Sequence, residues 1–244
     1  MTGRLRALLR LFAVQGTWNF ERMLGVGMGY AAEPLLDELK ISDPQRHTEA
    51  VVRSAEFFNC NPNLAGLALG AEVRAEYDAT PGAQVARLRT ALCSPLGALG
   101  DQLFWAGLVP GLVGLALAGV VLGAGLWIIA AFLVVYNAVR IWTAVWALRT
   151  GLKAGMNVGT AIGRSWVPRA ADAAGSAAGF GVGLALPLVT VWLLRPFPIA
   201  AGLGALGLTG LGLAAGYVAG ARYGALRYAL LAVLVTLLVR VAAQ

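Results

Sequence analysis

Charge is scarce in this sequence. Asp, Glu, Lys and Arg make up 13% of the 244 residues, where soluble domains carry about 25%. From Gln102 to Val139 there is not one of them. With 59% hydrophobic residues and a mean hydropathy of +0.73, the apolar surface exceeds what a water-soluble globule can hide, so the chain reads as an integral membrane protein. Histidine is nearly missing: His47 is the only one, set among polar neighbours and expected to be solvated. Cys60 and Cys93 are isolated, with no C-x-x-C spacing. They read as small, partly buried thiols and not as a disulfide framework or metal ligands. No metal-ligand cluster, nucleophile–base arrangement or phosphate loop is evident, which excludes a stand-alone enzyme and leaves no catalytic residue, cofactor or metal to assign. Acids are fewer than bases, giving a net charge of +7. In a membrane chain that excess speaks to topology and to anionic lipid; no nucleic-acid-binding pattern accompanies it. The N-terminus lacks the apolar stretch and small-residue site of a cleaved signal peptide.

What is present divides into an amphiphilic front, residues 1–100, and a transmembrane region, 101–244. Leu5, Leu8, Leu9 and Phe12 fall on one helical face and Arg4, Arg6 and Arg10 off it. This describes a short basic helix, lying on a membrane surface or packed in the fold. Trp18, Asn19, Glu21 and Arg22 then bring a ring, an amide and a charge pair together, ahead of Gly25, Gly27 and Gly29. The alternating glycines permit close approach of a ligand or a neighbouring helix. No strand precedes them, so a dinucleotide site is rejected. Asp43-Pro44 predicts a capped helix start, with Glu49 and Arg53 in the favourable i, i+4 order and Val51, Val52, Ala55 and Phe58 as its buried stripe. Asn59, Asn61, Pro62 and Asn63 predict an amide-rich turn. The apolar piece from Leu64 to Ala71 is too short to span a bilayer, which takes about 20 helical residues, and fits a re-entrant or buried segment. Thr80-Pro81 predicts a helix with Val85, Leu88 and Leu92 on one side and Arg87 and Arg89 elsewhere.

The stretch SPLGALGDQLFW, residues 94–105, reads as the hinge between the two regions. Ser94-Pro95 is a helix-start signature, Gly97 and Gly100 allow a turn or close approach, and Asp101 stands at the mouth of the uncharged run, where ionisable groups are costly and often functional. Five spans are predicted near 103–121, 125–147, 173–194, 196–218 and 223–241, the first two joined by a turn around Gly119–Gly125. Trp105 and Trp146 are the expected interfacial aromatics. Asn137 and Arg140 lie inside the second span, where Arg140 snorkels, faces a polar cavity or meets a partner's carboxylate. Residues 149–169 carry only basic charges and predict a cytosolic loop, which places the N-terminus in the cytosol. Glycines recur every fourth position at 151–163, at 175–183 and at 212–224, as small-residue seams for packing within or between subunits.

Three blocks, QGTWNFERM, EFFNCNPNLAGLALG and SPLGALGDQLFW, together resemble the IID membrane component of mannose/fructose/sorbose-type sugar phosphotransferase systems, in order and approximate spacing, over roughly residues 8–155. The resemblance implies an all-α polytopic membrane protein that pairs with a IIC subunit to move a hexose across the bacterial inner membrane, in a hetero-oligomer similar to a trimer of IIC–IID pairs. Cytosolic IIA and IIB components would relay the phosphoryl group through their own histidines. His47 lies outside the matched blocks, in keeping with a subunit that carries no phosphohistidine. Moving a neutral sugar calls for amides, a carboxylate and an aromatic face. Trp18, Asn19, Glu21, Asn59, Asn61 and Asp101 are the expected substrate groups. Arg22, Gly25, Gly27, Gly29, Pro62, Gly97, Gly100, Trp105, Asn137 and Arg140 are the expected structural or interface groups. The family's two histidines near the EFFN block are Ser54 and Asn61 here, and its hydrophilic insert is missing. Those departures raise a second reading, a diverged homologue acting as a membrane scaffold or regulatory partner without transport.

Overall fold

The computed structural model describes residues 2–195 together with Gly204 and Gly207. It forms two compact units, Met1–Ala185 and Leu186–Gln244. The described residues of the second unit are the end of one helix and a few that follow it. The two predicted spans near 196–218 and 223–241, and the glycine ladder at 212–224, lie outside the described residues.

Among the described residues nine α-helices run in order: α1 (Arg4–Phe12), α2 (Gly25–Ser42), α3 (Pro44–Ser54), α4 (Ala65–Tyr77), α5 (Gly82–Gly100), α6 (Val109–Val121), α7 (Trp127–Ala154), α8 (Val158–Gly163) and α9 (Val167–Leu194). The described residues contain no strand, only isolated bridges that join Met23 to Asn19 and to Phe58. Among the described residues three continuous helical stretches are long and apolar enough to cross a membrane: Gly82–Val121, Trp127–Gly163 and Val167–Leu194.

The first of these overturns one expectation. Ser94-Pro95 does not start a helix. Pro95 lies inside α5, and the chain continues through a π-wound segment, Asp101–Leu108, into α6. An interior proline removes one backbone hydrogen bond and costs about 3 kcal/mol locally. Packing outweighs it here, since Leu92 and Leu96 on either side are both buried. At 1.5 Å per residue the 40-residue stretch is about 60 Å long, twice the hydrocarbon thickness of about 30 Å. Its α5 end therefore belongs to the amphiphilic front half, and the helix passes unbroken through the predicted boundary at residue 100. The turn after α6 matches its expectation, with Gly123 and Gly125 at positive φ. The basic loop 149–169 is shorter than expected. Arg149 and Lys153 belong to the last turns of α7, kept helical because Ala147, Leu148, Gly151 and Leu152 are buried.

What buries them is α4, the centre of the fold. Residues Ala65 through Val73 are all buried. The seam between α4 and α7 is a backbone-to-backbone approach: a Cβ on Gly70 would stand 2.5 Å from the Leu152 nitrogen and 2.7 Å from the Leu148 oxygen. Gly151 answers from α7, close to the backbone of Leu67 and Ala71. Around this seam α2 contributes Met28, Leu35 and Leu36, and α5 contributes Val85 and Leu92. Gly25, Gly27 and Gly29 prove to serve neighbouring chain, with the Glu56 carbonyl, the Val14 carbonyl and the Ala55 side chain against them. A second seam joins the π segment and α6 to the first half of α9, where Gly107, Gly111 and Gly114 face Ala174, Ala178 and Gly181. Gly175, Gly179 and Gly183 carry no seam among the described residues of this chain: nothing lies within 4 Å of a Cβ placed there.

Two helix faces differ from their patterns. In α1 the buried residues are Ala7 and Leu11, while Leu5 and Leu9 are 69% and 60% exposed. Arg6 and Arg10 flank this buried face and reach across to α2, Arg6 to Asp37 at 3.5 Å and Arg10 to Glu33. In α3 the Asp43 cap forms as expected, accepting from the Arg46 N–H at 3.0 Å. The buried residues are Ala50 and Ser54, however, and Val52 is exposed. Arg53 bonds Glu76 at 2.8 Å, not Glu49, because a buried carboxylate outcompetes a solvated one for the same guanidinium.

Candidate functional site

The amide-rich turn before α4 and the helix face around Asp101 meet at one cavity of about 580 Å³. Gly100 permits the meeting, since any side chain there would strike Asn61. Asn61 is 1% exposed and its carboxamide is held at both ends. Its Nδ2 donates to Asp101 Oδ1 at 2.9 Å, and its Oδ1 accepts from the Asn63 N–H at 3.1 Å and from Asn63 Nδ2 at 3.2 Å. Asp101 lines the cavity. Its Oδ1 is oriented by Asn61, and Oδ2 accepts no hydrogen bond among the described residues.

From α5 and the π segment, Cys93, Ser94, Gly97, Asp101 and Trp105 also line the cavity. Their spacing of three to four residues is one helical face. The opposite wall comes from Gln15, Phe57, Asn59, Cys60 and Pro62. Burial pushes the Cys60 thiol well above its ordinary range, so it stays protonated and unreactive. The lining holds one carboxylate, amides, a hydroxyl and two aromatic rings, with no Lys, Arg or His. That inventory can hydrogen-bond a neutral polyol and offers no cation to a phosphate.

Of the expected substrate groups, the fold brings Asn59, Asn61 and Asp101 together, with Pro62, Gly97 and Trp105 beside them. Trp18, Asn19 and Glu21 are not part of this lining. Asn19 holds its own turn: its Oδ1 accepts from the N–H groups of Glu21 at 3.1 Å and Arg22 at 2.9 Å, and its Nδ2 donates to the Thr17 carbonyl at 3.2 Å. Trp18 packs edge-on to Phe20 at 4.9 Å, making an exposed aromatic tip with Glu21 beside it. Arg22 donates to the Ala55 carbonyl at 3.4 Å, so it does not form the pair with Glu21 that its position allowed. Asn137 donates to the Leu133 carbonyl at 2.8 Å within α7. Arg140 stacks over Phe12 at 5.4 Å and pairs with no acid among the described residues.

A buried ionic network holds the cavity's second wall, and Arg89, expected off the inward side of its helix, is at its centre. Arg89, 2% exposed, donates to Glu72 Oε2 at 2.6 Å and to the carbonyls of Ser54, Glu56 and Phe57 at 2.8, 2.9 and 3.3 Å. It also lies over the Phe58 ring. Glu76, one turn on from Glu72, is gripped by Arg53 at 2.8 Å and Arg46 at 2.9 Å. Asn59 and Asn61 follow directly on the segment so clamped. Glu72 Oε1 has no hydrogen-bond partner among the described residues, and burial, opposed by Arg89, raises this carboxyl from 4.5 to about 7. The available signal was an i, i+4 pair of acids, Glu72 and Glu76, at the end of an apolar helix run, with two arginines, Arg87 and Arg89, between the inward positions Val85 and Leu92.

Residues 3–195 match the family described as PTS system mannose/fructose/sorbose family IID component, EIID-AGA. The chain is 31% identical over 140 residues to the PTS system mannose-specific EIID component of Escherichia coli (strain K12), covering 55% of this chain and 49% of that protein. It is 29% identical over 133 residues to the fructose permease IID component of Bacillus subtilis (strain 168), covering 52% and 48%. It is 32% identical over 142 residues to the PTS system sorbose-specific EIID component of Klebsiella pneumoniae, covering 54% and 50%. The chain thus spans about half the length of the curated relatives it matches. Among solved structures, a chain of the mannose transporter ManYZ in complex with microcin E492 aligns with a TM-score of 0.56 at 25% identity, covering 79% of this chain and 71% of that one. A chain titled only as a membrane protein aligns with a TM-score of 0.63 at 26% identity, covering 75% and 69%. A lone conserved-looking motif would not decide the matter, but an all-helical membrane fold and a match over most of the sequence do: this chain belongs to the IID component family of the mannose/fructose/sorbose phosphotransferase systems.

Proposed function

We propose that this chain is the IID half of a hexose-translocating unit in the bacterial cytoplasmic membrane, with its N-terminus in the cytosol. A IIC subunit supplies the other half, IIA and IIB supply the phosphoryl group, and the working assembly is a trimer of IIC–IID pairs. Family membership and the likeness to a mannose transporter favour this reading over a scaffold without transport. The observation that carries the sugar assignment is the Asn61–Asp101 hydrogen bond at the wall of a cavity that holds amides, a hydroxyl and the Trp105 ring but no cation. A neutral sugar presents hydroxyl groups and an apolar ring face, which fit such a set. Asp101 Oδ2 and the Asn59 amide then bind sugar hydroxyls while Trp105 covers the ring. Trp18 and Glu21, at the exposed tip, meet the sugar route or the IIC surface.

The test is hexose binding and uptake in cells that co-express the chain with its cognate IIC, IIB and IIA proteins. Asp101→Asn keeps the side chain's size and removes its charge. It is expected to cut uptake at least tenfold, with the IIC complex still recovered on purification. Glu21→Gln is expected to lower uptake as well. Normal uptake in both variants would refute the sugar-site assignment, and no uptake by the unmodified complex for any hexose would favour the scaffold.

A further inference from the structure

We propose that the slot between α1 and the C-terminal end of α7 binds an anionic phospholipid, with Arg4 and Arg149 on the phosphate and the leucine walls on an acyl chain. The slot is a cavity of about 270 Å³ whose apolar walls include Leu5, Leu8, Val145 and Leu148. Both arginines line the same cavity, and no carboxylate does.

Charge accounting along α1 sets Arg4 apart. Arg6 pairs with Asp37 and Arg10 with Glu33, whereas Arg4 has no acidic partner among the described residues. Arg149 on α7 likewise has none. Two guanidinium groups facing one apolar slot repel each other unless an anion stands between them. The first turn of α1 holds no acidic residue and no capping side chain of its own; the carboxylate that reaches the helix start is Glu38 of α2, which accepts from the Thr2 N–H at 2.9 Å and does not line the slot.

The occupant must therefore be anionic at one end and apolar along its length. A soluble anion would satisfy the arginines and leave Leu5, 69% exposed, in water. A zwitterionic lipid carries its own cation beside the phosphate and gains less. The position suits a lipid, since α7 lies in a helical stretch long and apolar enough to cross a membrane and Arg149 and Lys153 stand in its last turns, where headgroups would lie. Each cation near an anionic lipid surface strengthens binding by roughly fivefold.

Native mass spectrometry of the full chain, purified with its IIC partner in detergent and incubated with phosphatidylglycerol or phosphatidylcholine, tests this. The unmodified complex is expected to retain phosphatidylglycerol roughly fivefold or more over phosphatidylcholine. Arg4→Gln/Arg149→Gln is expected to bring that ratio close to one. Arg87→Gln/Arg169→Gln, which removes the same charge from exposed positions elsewhere, is expected to leave it unchanged. Val145→Trp, which fills the slot with both arginines intact, is expected to lower retention of phosphatidylglycerol. Equal retention of the two lipids by the unmodified complex would overturn the proposal. So would an unchanged preference in either slot variant, an equal loss in the control pair, or full displacement of the lipid by millimolar glycerol phosphate.

Discussion

Arg89→Met isolates the largest single electrostatic commitment in the fold. Methionine retains most of the apolar stem and removes the cation that serves Glu72 and three carbonyls of residues 54–57. Removing one partner of a buried pair costs about 3–5 kcal/mol, because the other is left uncompensated. The three carbonyls push the loss toward the upper end of that range. For a chain of this size the melting temperature should fall by roughly 10 °C or more. The pH dependence carries the diagnosis. With a folded-state value of about 7 against an ordinary 4.5, Glu72 binds a proton in the folded state that the unfolded chain releases. Its contribution is therefore full below about 4.5 and is lost as pH rises toward about 7. Without Arg89, burial acts unopposed and moves Glu72 further up, so the deficit is largest near about pH 8 and shrinks toward about pH 5. Adding Glu72→Gln to the variant removes the buried charge, and should recover most of the loss at about pH 8 and flatten the profile. Thermal unfolding followed by tryptophan fluorescence at the two pH values reads all three proteins. A deficit in Arg89→Met below about 1 kcal/mol, or one equal at both pH values, would refute the reasoning.

Gly70→Val should separate α4 from α7. Its Cβ would press on backbone atoms of Leu148 and Leu152, which cannot swing aside, and overpacking of this kind costs about 1–3 kcal/mol. Unchanged stability would mean that the two helices do not meet at this seam. Thr143 is fully buried and its hydroxyl has no partner among the described residues. Thr143→Val should therefore leave stability unchanged or raise it by about 1 kcal/mol, and a clear loss in the same unfolding assay would show that the hydroxyl is hydrogen-bonded.

Half of the cavity lining could be anticipated from the sequence. Asn59, Asn61 and Asp101 stood out as polar groups bordering apolar runs, and their convergence is what the structure shows. The face running from Cys93 through Ser94, Gly97 and Asp101 to Trp105 was hidden by Pro95. A proline after a serine is a start signal in local terms, and only the burial of Leu92 and Leu96 keeps the helix going through it. The α1 pattern misled in the opposite way. Its leucines mark the apolar face correctly, but the face that packs on α2 is the one whose arginines find Asp37 and Glu33.

By itself the sequence determined that this is a helical membrane protein, where its capped helix and its glycine turn lie, and which few polar residues are worth a mechanism. These follow from local chemistry: the length of uncharged runs, the reach of a capping carboxylate, the positive φ that glycine tolerates. The tertiary structure alone decided that α4 is the buried centre, that Arg89 and Glu72 form a pair, and that Asn61 locks onto Asp101 across 40 residues of chain. Those outcomes depend on which backbones can approach closely and on which charges lose their water together. Neither is written in the spacing of residues along one strand of sequence.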